Sequence, residues 1–302
     1  RSLGIDLIPM KSCTYDCLYC QVGRTTSKIV DPAVFAPVDS VMEDLRSVLP
    51  DCEPDVITLS GSGEPTLHLS IDRVISSVKE IFHHPVAVLT NGSLFWKREV
   101  RERVLLADLI MPTVTTTDEK TFQRIHRPHK TLQLALVLEG LMALRQAFRG
   151  VLAVEVMLLR GINDTEKELE GLKKILDRLT PEKIHLNTIA RPPSDARARP
   201  LDTKRLEAIR VFLGKSAEIV VGSPHSSKGR VGGPVDFALL ETIRRRPLRS
   251  VDMADTLNLP LERIVRVVER LLQEGRLKEQ KYGGERYFLA TDGGGDDNTG
   301  KG

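Results

Sequence analysis

No run of about twenty apolar residues interrupts this 302-residue chain, and no charged-then-apolar leader opens it. The sequence therefore predicts a cytoplasmic protein with no membrane partner. Charge is nearly balanced, since 44 Lys and Arg against 41 Asp and Glu leave a formal net charge of +3. A global basic field that would draw nucleic acid regardless of sequence is excluded, although a local patch is not. Cysteine is scarce. There are four in all, three of them in one loop, and an odd trio gives no disulfide framework, so the usage implies a reducing compartment. The fourth, Cys52, lies in a stretch with no partner spacing, and no cysteine follows it. An apolar fraction of 41% over this length suits one large domain with a sizeable core plus a small one.

The stretch with the clearest chemistry is Cys13-Thr14-Tyr15-Asp16-Cys17-Leu18-Tyr19-Cys20, three cysteines spaced C-x₃-C-x₂-C. Three thiolates in one short loop can hold three irons of a cubane cluster and leave the fourth iron open to an exchangeable ligand. A closed zinc site is the competing reading. It asks for a fourth nitrogen or sulfur ligand, usually from a second paired motif, and none stands nearby.

From Gly4 to about Ser223, short β-branched runs alternate with longer amphipathic segments, the pattern of repeated βα units with parallel strands. Strands are predicted at 4–8, 55–60, 86–90, 109–114, 152–159 and 183–189, with a further run at 218–221. Six such units make an α/β fold of the partial (β/α)6 TIM-like barrel type, with a doubly wound open sheet as the alternative. The predicted strand ends favour the barrel: Ser60-Gly61-Ser62-Gly63-Glu64, Thr90-Asn91-Gly92-Ser93, Thr113-Val114-Thr115-Thr116-Thr117, Arg160-Gly161-Ile162-Asn163-Asp164 and Ala190-Arg191-Pro192-Pro193 are all rich in glycine or hydrogen-bonding side chains.

The domains expected are a barrel over 1–223, a linker over 224–234, a winged helix over 235–290 and a disordered tail over 291–302. The third predicted helix of the winged module carries Arg263, Arg266 and Arg270 at helical spacing, and Lys278, Lys281 and Arg286 fall in the wing. Interleaved acids leave the module only weakly positive. A nucleic acid partner, a protein partner and a solvated charged face all remain open.

Gly61-Ser62-Gly63-Glu64-Pro65 follows a predicted strand, and its glycines let the backbone approach a ligand closely; alone, such a turn is equally a tight βα connection. Arg127 and His129, in Arg124-Ile125-His126-Arg127-Pro128-His129, would suit an anionic substrate beside a barrel mouth or form a solvated basic turn.

With Tyr19 as the aromatic residue, the cysteine loop reads C-x₃-C-x-Φ-C, and the sequence resembles the radical SAM enzymes. Its flanks, Ser2-Leu3-Gly4-Ile5-Asp6 and Gln21-Val22-Gly23-Arg24-Thr25-Thr26, resemble the wyosine-synthase-related iron–sulfur oxidoreductases of that superfamily. The resemblance implies a [4Fe–4S] cluster on Cys13, Cys17 and Cys20, with S-adenosylmethionine as the second cofactor. Gly61, Ser62, Gly63 and Glu64 would take its amino group, and Thr90 and Asn91 would lie near its ribose and carboxylate. Thr115 occupies the place of an acid in related sequences, which end this strand Ser-Leu-Asp-Ala where this chain has Thr113-Val114-Thr115-Thr116. Tyr19 would pack near cluster and adenine, Met157 and Ile162 would line the adenine pocket, and Arg191 would reach toward the site from the sixth strand.

The implied chemistry is reductive cleavage of S-adenosylmethionine to methionine and a 5′-deoxyadenosyl radical, which abstracts hydrogen from an RNA, peptide or small-molecule substrate. A flavodoxin or ferredoxin would supply the electron. Wyosine synthases use a second cluster, and with only Cys52 to spare this chain suits a single one. The alternative function is a cluster-bearing or S-adenosylmethionine-sensing winged-helix regulator that reads DNA.

Overall fold

The computed structural model describes residues 1–221 and 235–291. The chain divides into two compact units, Arg1–His225 and Ser226–Gly302. The linker expected over 224–234 and the tail expected over 291–302, apart from Thr291, lie outside the described residues.

In the first unit the elements run β1 (Ser2–Ile5), β2 (Ser12–Cys13), β3 (Ser27–Lys28), α1 (Val38–Val48), β4 (Val56–Leu59), α2 (Ile71–Ser77), β5 (Val86–Thr90), α3 (Arg98–Val104), β6 (Leu109–Pro112), α4 (Glu119–His126), α5 (Leu134–Ala147), β7 (Val151–Leu158), α6 (Glu166–Leu179), β8 (Lys183–Thr188), α7 (Thr203–Leu213) and β9 (Ala217–Ile219). The strands are β-branched runs such as Val56-Ile57-Thr58-Leu59, whose last three residues are all buried, as parallel strands covered by crossover helices require. Side-chain caps start three of the helices. Asp118 accepts from Thr121 N before α4, Thr165 from Glu168 N before α6, and Asp202 from Arg205 N before α7.

Seven parallel strands follow one another in the order β1-β4-β5-β6-β7-β8-β9. A doubly wound sheet would reverse direction at its first strand. Because this order never reverses, right-handed crossovers carry every helix to the same face, and the opposite face is left concave for a site. Among the described residues the sheet is open, since β1 and β9 each have a single neighbour. The architecture is thus the partial barrel expected, with the run near 218–221 supplying a seventh strand.

Helix α4 had no counterpart among the sequence expectations, because the basic segment around Arg127 reads as a turn. The helix ends there. Arg127 takes a left-handed backbone conformation at φ 42° and Pro128 follows, which together stop α4 at His126.

Gly140, in the middle of α5, shows how tightly the helical layer packs. Alanine normally stabilises a helix interior by about 1 kcal/mol over glycine. Here an added methyl would overlap the backbone at Phe95 and Trp96. Gly140→Ala is therefore expected to destabilise, by about 1–3 kcal/mol, in urea unfolding; a gain in stability would contradict this packing.

The second unit contains α8 (Val235–Arg245), α9 (Ser250–Leu257), α10 (Leu261–Gln273), β10 (Leu277–Tyr282) and β11 (Glu285–Ala290). Strands β10 and β11 pair antiparallel around Gly283-Gly284, which have φ of 58° and 82°, as a type I′ turn demands. Leu248 bridges to Phe288 on the hairpin. Leu239, Ile243, Ile264, Leu271 and Phe288 belong to its own apolar core. Among the described residues, no helix is long and apolar enough to cross a membrane.

Candidate metal centre

The cysteine loop leaves β2 at Cys13 and returns at β3, and these two short strands pair in parallel. A loop without regular structure has to satisfy its backbone elsewhere, and here distant segments supply the partners. Asp16 N donates to His126 O at 2.8 Å, and Leu18 N to Ile125 O at 2.9 Å. His129 N donates to Thr14 O at 2.9 Å, Ser194 N to Cys20 O at 2.9 Å, and Asp195 N to Leu18 O at 3.2 Å. The end of α4 and the segment after β8 therefore hold the loop from two sides.

Charge completes the clamp. The Asp16 carboxylate is buried and pairs with Arg24 at 2.8 Å and with Arg127 at 3.2 Å; Arg127 also reaches Asp195 at 3.2 Å. Arg127 Nε donates to Asp16 O at 2.7 Å. The guanidinium singled out for an anionic substrate is thus spent largely within the protein, although its Nη2 has no hydrogen-bond partner among the described residues. His129 turns its Nδ1 to Thr131 Oγ1 at 2.9 Å. Asp16→Ala would strip Arg127 of one of its two carboxylates. The expected loss is about 2–3 kcal/mol of unfolding free energy, below that of a fully buried pair because Arg127 keeps some contact with water; a change under about 0.5 kcal/mol would contradict the clamp.

The glycine turn after β4 lies directly against the start of the cysteine loop. Lys11 N donates to Ser62 O at 3.1 Å. A methyl on Gly63 would overlap Ser12 O and the Ile8 side chain, and one on Gly61, which has φ of 149°, would overlap the Asp6 carboxylate. Asp6 Oδ2 accepts from Ser62 N at 3.0 Å and Ser62 Oγ at 2.6 Å, pinning the turn to the end of β1.

Glu64 is buried and serves as a hub. It accepts from Thr66 N (3.1 Å), Thr66 Oγ1 (2.6 Å), Thr90 Oγ1 (2.5 Å) and Asn91 N (2.7 Å). Burial raises its pKa, and the bonds from Thr66, Thr90 and Asn91 oppose that rise. Asn91 Nδ2 donates to Thr14 Oγ1 at 2.8 Å and stands 3.6 Å from Cys13 Sγ. Glu64 of the glycine turn and the Thr90-Asn91 pair at the end of the next strand are thus wired into one network that ends at a cysteine.

Deeper lies His126. Its ring is buried, with Nδ1 3.1 Å from Cys17 Sγ and Nε2 2.7 Å from Thr115 Oγ1. Burial drives its pKa down to about 3, so the imidazole is neutral at pH 7. The sequence alone assigns this residue no role. The available signal was its place beside Phe122 and Ile125 on the buried stripe of α4. Met157 and Ile162 are also buried, and Asn163 Nδ2 ties Met157 O (2.9 Å) to Thr115 O (2.8 Å). Arg191 is half-buried and makes no hydrogen bond or ion pair among the described residues.

The thiols themselves are poor acids here. Burial and then the Glu64 charge push Cys13 up to about 12; burial and then the neighbouring Cys13 and Cys20 push Cys17 well up; burial raises Cys20. They stay protonated at neutral pH unless a metal displaces the protons.

Residues 7–172 match the model of the Radical SAM superfamily, a span holding the cysteine loop, the glycine turn and most of the sheet. The chain belongs to this superfamily. Radical SAM proteins are enzymes whose cofactors are a [4Fe–4S] cluster and S-adenosylmethionine. The chain is similar to the UPF0026 protein of Methanocaldococcus jannaschii, at 32% identity over 96% of this chain and 92% of the other. It is also similar to a protein of Brachyspira hyodysenteriae named GTPase Obg, at 32% identity over 93% of this chain but spanning only 42% of that protein's length. In fold it resembles a radical SAM methyltransferase from Sphaerobacter thermophilus, with a TM-score of 0.57 and 16% identity over 72% of this chain and 65% of the other.

The donor set suits a radical SAM cluster. Backbone amides of Tyr15 and Thr14 face the Cys13 sulfur, those of Val22 and Gly23 face Cys20, and the Tyr19 hydroxyl bonds to Cys17. Such donors stabilise thiolates once iron has replaced the protons. Among the described residues, no three His, Cys, Asp or Glu side chains gather closely enough to hold a single metal ion. A cubane does not require that, because each thiolate binds a different iron.

Proposed function

We propose that Cys13, Cys17 and Cys20 hold three irons of one [4Fe–4S] cluster, and that S-adenosylmethionine binds beside it over the concave face of the sheet. When bound, the cluster would supply a low-potential electron and S-adenosylmethionine, on accepting it, would supply the carbon radical that abstracts hydrogen from a substrate. The observation that carries this reading is the direct packing of the Gly61–Glu64 turn on the strand entering Cys13, made possible by Gly63.

The protein's part is positioning and exclusion of water. The backbone of Gly61, Ser62 and Gly63 presents close-approach surface for the amino group, and the Glu64 hub fixes the turn together with Thr90 and Asn91. Met157 and Ile162 offer apolar surface to the adenine. Thr115 acts on the loop through His126, and Tyr19 acts on Cys17. Arg191, Arg127 Nη2 and His129 are proposed to face the substrate, an RNA, peptide or small molecule.

The electron is assigned to a flavodoxin or ferredoxin in a reducing, cytoplasmic compartment. The second unit, with three helices and a glycine-turned hairpin, is proposed as a winged-helix module that docks a nucleic acid or protein. Arg244, Arg249, Arg270 and Arg286 are held in ion pairs with acids of the same unit, whereas Arg263, Arg266, Lys278 and Lys281 are exposed.

The test is anaerobic reconstitution followed by dithionite and S-adenosylmethionine. Methionine and 5′-deoxyadenosine should form in equal amounts. Intact S-adenosylmethionine in the presence of a full, reducible cluster would refute the reading.

A further inference from the structure

We propose that His126 is a positioning residue that donates its Nδ1–H to the Cys17 sulfur and thereby raises the reduction potential of the cluster held by that loop. The inference rests on the cluster reading above and goes beyond it, because it assigns a task to a side chain that touches neither S-adenosylmethionine nor substrate in that reading.

The geometry carries it. His126 is locked to the cysteine loop twice: its carbonyl accepts from Asp16 N at 2.8 Å, and its ring Nδ1 stands 3.1 Å from Cys17 Sγ. The ring cannot swing away, because Tyr15, Phe122 and Tyr19 surround it at centroid distances of 4.7, 5.2 and 5.9 Å. Cys13 and Cys20 receive backbone donors, which substitution cannot remove, and Cys13 also faces Asn91 Nδ2 at 3.6 Å. At Cys17 the partners are side chains, the Tyr19 hydroxyl and the closer His126 Nδ1 at 3.1 Å.

The tautomer follows from elimination. A thiolate bound to iron offers only lone pairs, so the ring nitrogen that faces it, Nδ1, must carry a proton. Nε2 stands 2.7 Å from the Thr115 hydroxyl, which donates to it when Nδ1 carries the ring's one N–H. Thr115 thereby supports the donating tautomer and fixes the ring's orientation, as the outer partner of a ligand commonly does in metal sites. A hydrogen bond to a ligand sulfur favours the reduced, more electron-rich cluster, so its removal lowers the potential.

The experiment uses the full chain, reconstituted anaerobically, with iron and sulfide measured first. Each form is then titrated with Ti(III) citrate and followed by electron paramagnetic resonance, a step that adds one electron to the cluster and moves no proton. His126→Phe keeps the buried ring but loses the donor. Its reduction equilibrium should fall about tenfold, which is 59 mV for one electron. Thr115→Val should shift in the same direction by less, and His126→Asn, whose amide N–H falls where Nδ1–H lies, should recover most of the potential.

An unchanged or raised potential in His126→Phe at full sulfide content would overturn the proposal. Should that variant fail to take up iron, Thr115→Val decides, and an unchanged potential there overturns it as well. A wild-type protein without sulfide would instead refute the cluster reading.

Discussion

Cys13→Ala, Cys17→Ala and Cys20→Ala are each expected to abolish the brown chromophore of the anaerobically reconstituted protein and all cleavage of S-adenosylmethionine. A cubane held by three protein thiolates has no spare anchor, so loss of any one leaves an iron without its protein ligand. Cys52→Ala serves as the control. That residue follows α1 in a separate segment, where its thiol donates to Val48 O at 3.4 Å, so its variant should keep iron, colour and turnover. Loss of iron from Cys52→Ala would overturn the ligand assignment. Retention of full iron and sulfide by any of the other three would do so too.

Gly63→Ala should be nearly as damaging, although it removes no donor and touches no metal ligand directly. Its methyl group would meet Ser12 O, which is backbone, and the branched Ile8 side chain, neither of which can yield cheaply. Either the turn moves off the strand or Cys13 moves with it. A displacement of about 1 Å at a reacting centre costs about 100-fold in rate, so the expected result is a loss of that order in S-adenosylmethionine cleavage. Cluster content measured alongside tells which partner has moved. Wild-type turnover in Gly63→Ala would show that the turn and the cysteine strand are not coupled as the packing indicates.

Legibility in the sequence followed range. The cysteine spacing, the glycine turn and the alternation of strands and helices are local patterns, and each is found where short-range chemistry places it. The β-branched runs mark the strands because fully covered parallel strands must be apolar on both faces. The direction of the crossovers needed no residue-level information, since chirality fixes it.

Much of what organises the centre is long-range. Asp16 and Arg127 are 111 residues apart in the chain, and Cys17 and His126 are 109 apart. Nothing in a window of residues announces either pair. Arg127 reads as a solvated or anion-gripping side chain until the left-handed turn at the end of α4 brings it to Asp16 and Asp195. Glu64 illustrates the converse. Its position in the turn is visible, but its role as a buried acceptor joining Thr66, Thr90 and Asn91 depends on β4 and β5 lying side by side.

The most direct measurement is the iron and acid-labile sulfide content of the reconstituted wild-type chain, purified without oxygen. About four of each per chain, with a signal that changes when S-adenosylmethionine is added, is the outcome that follows from three thiolates around an open iron. Bound zinc with no sulfide would contradict it.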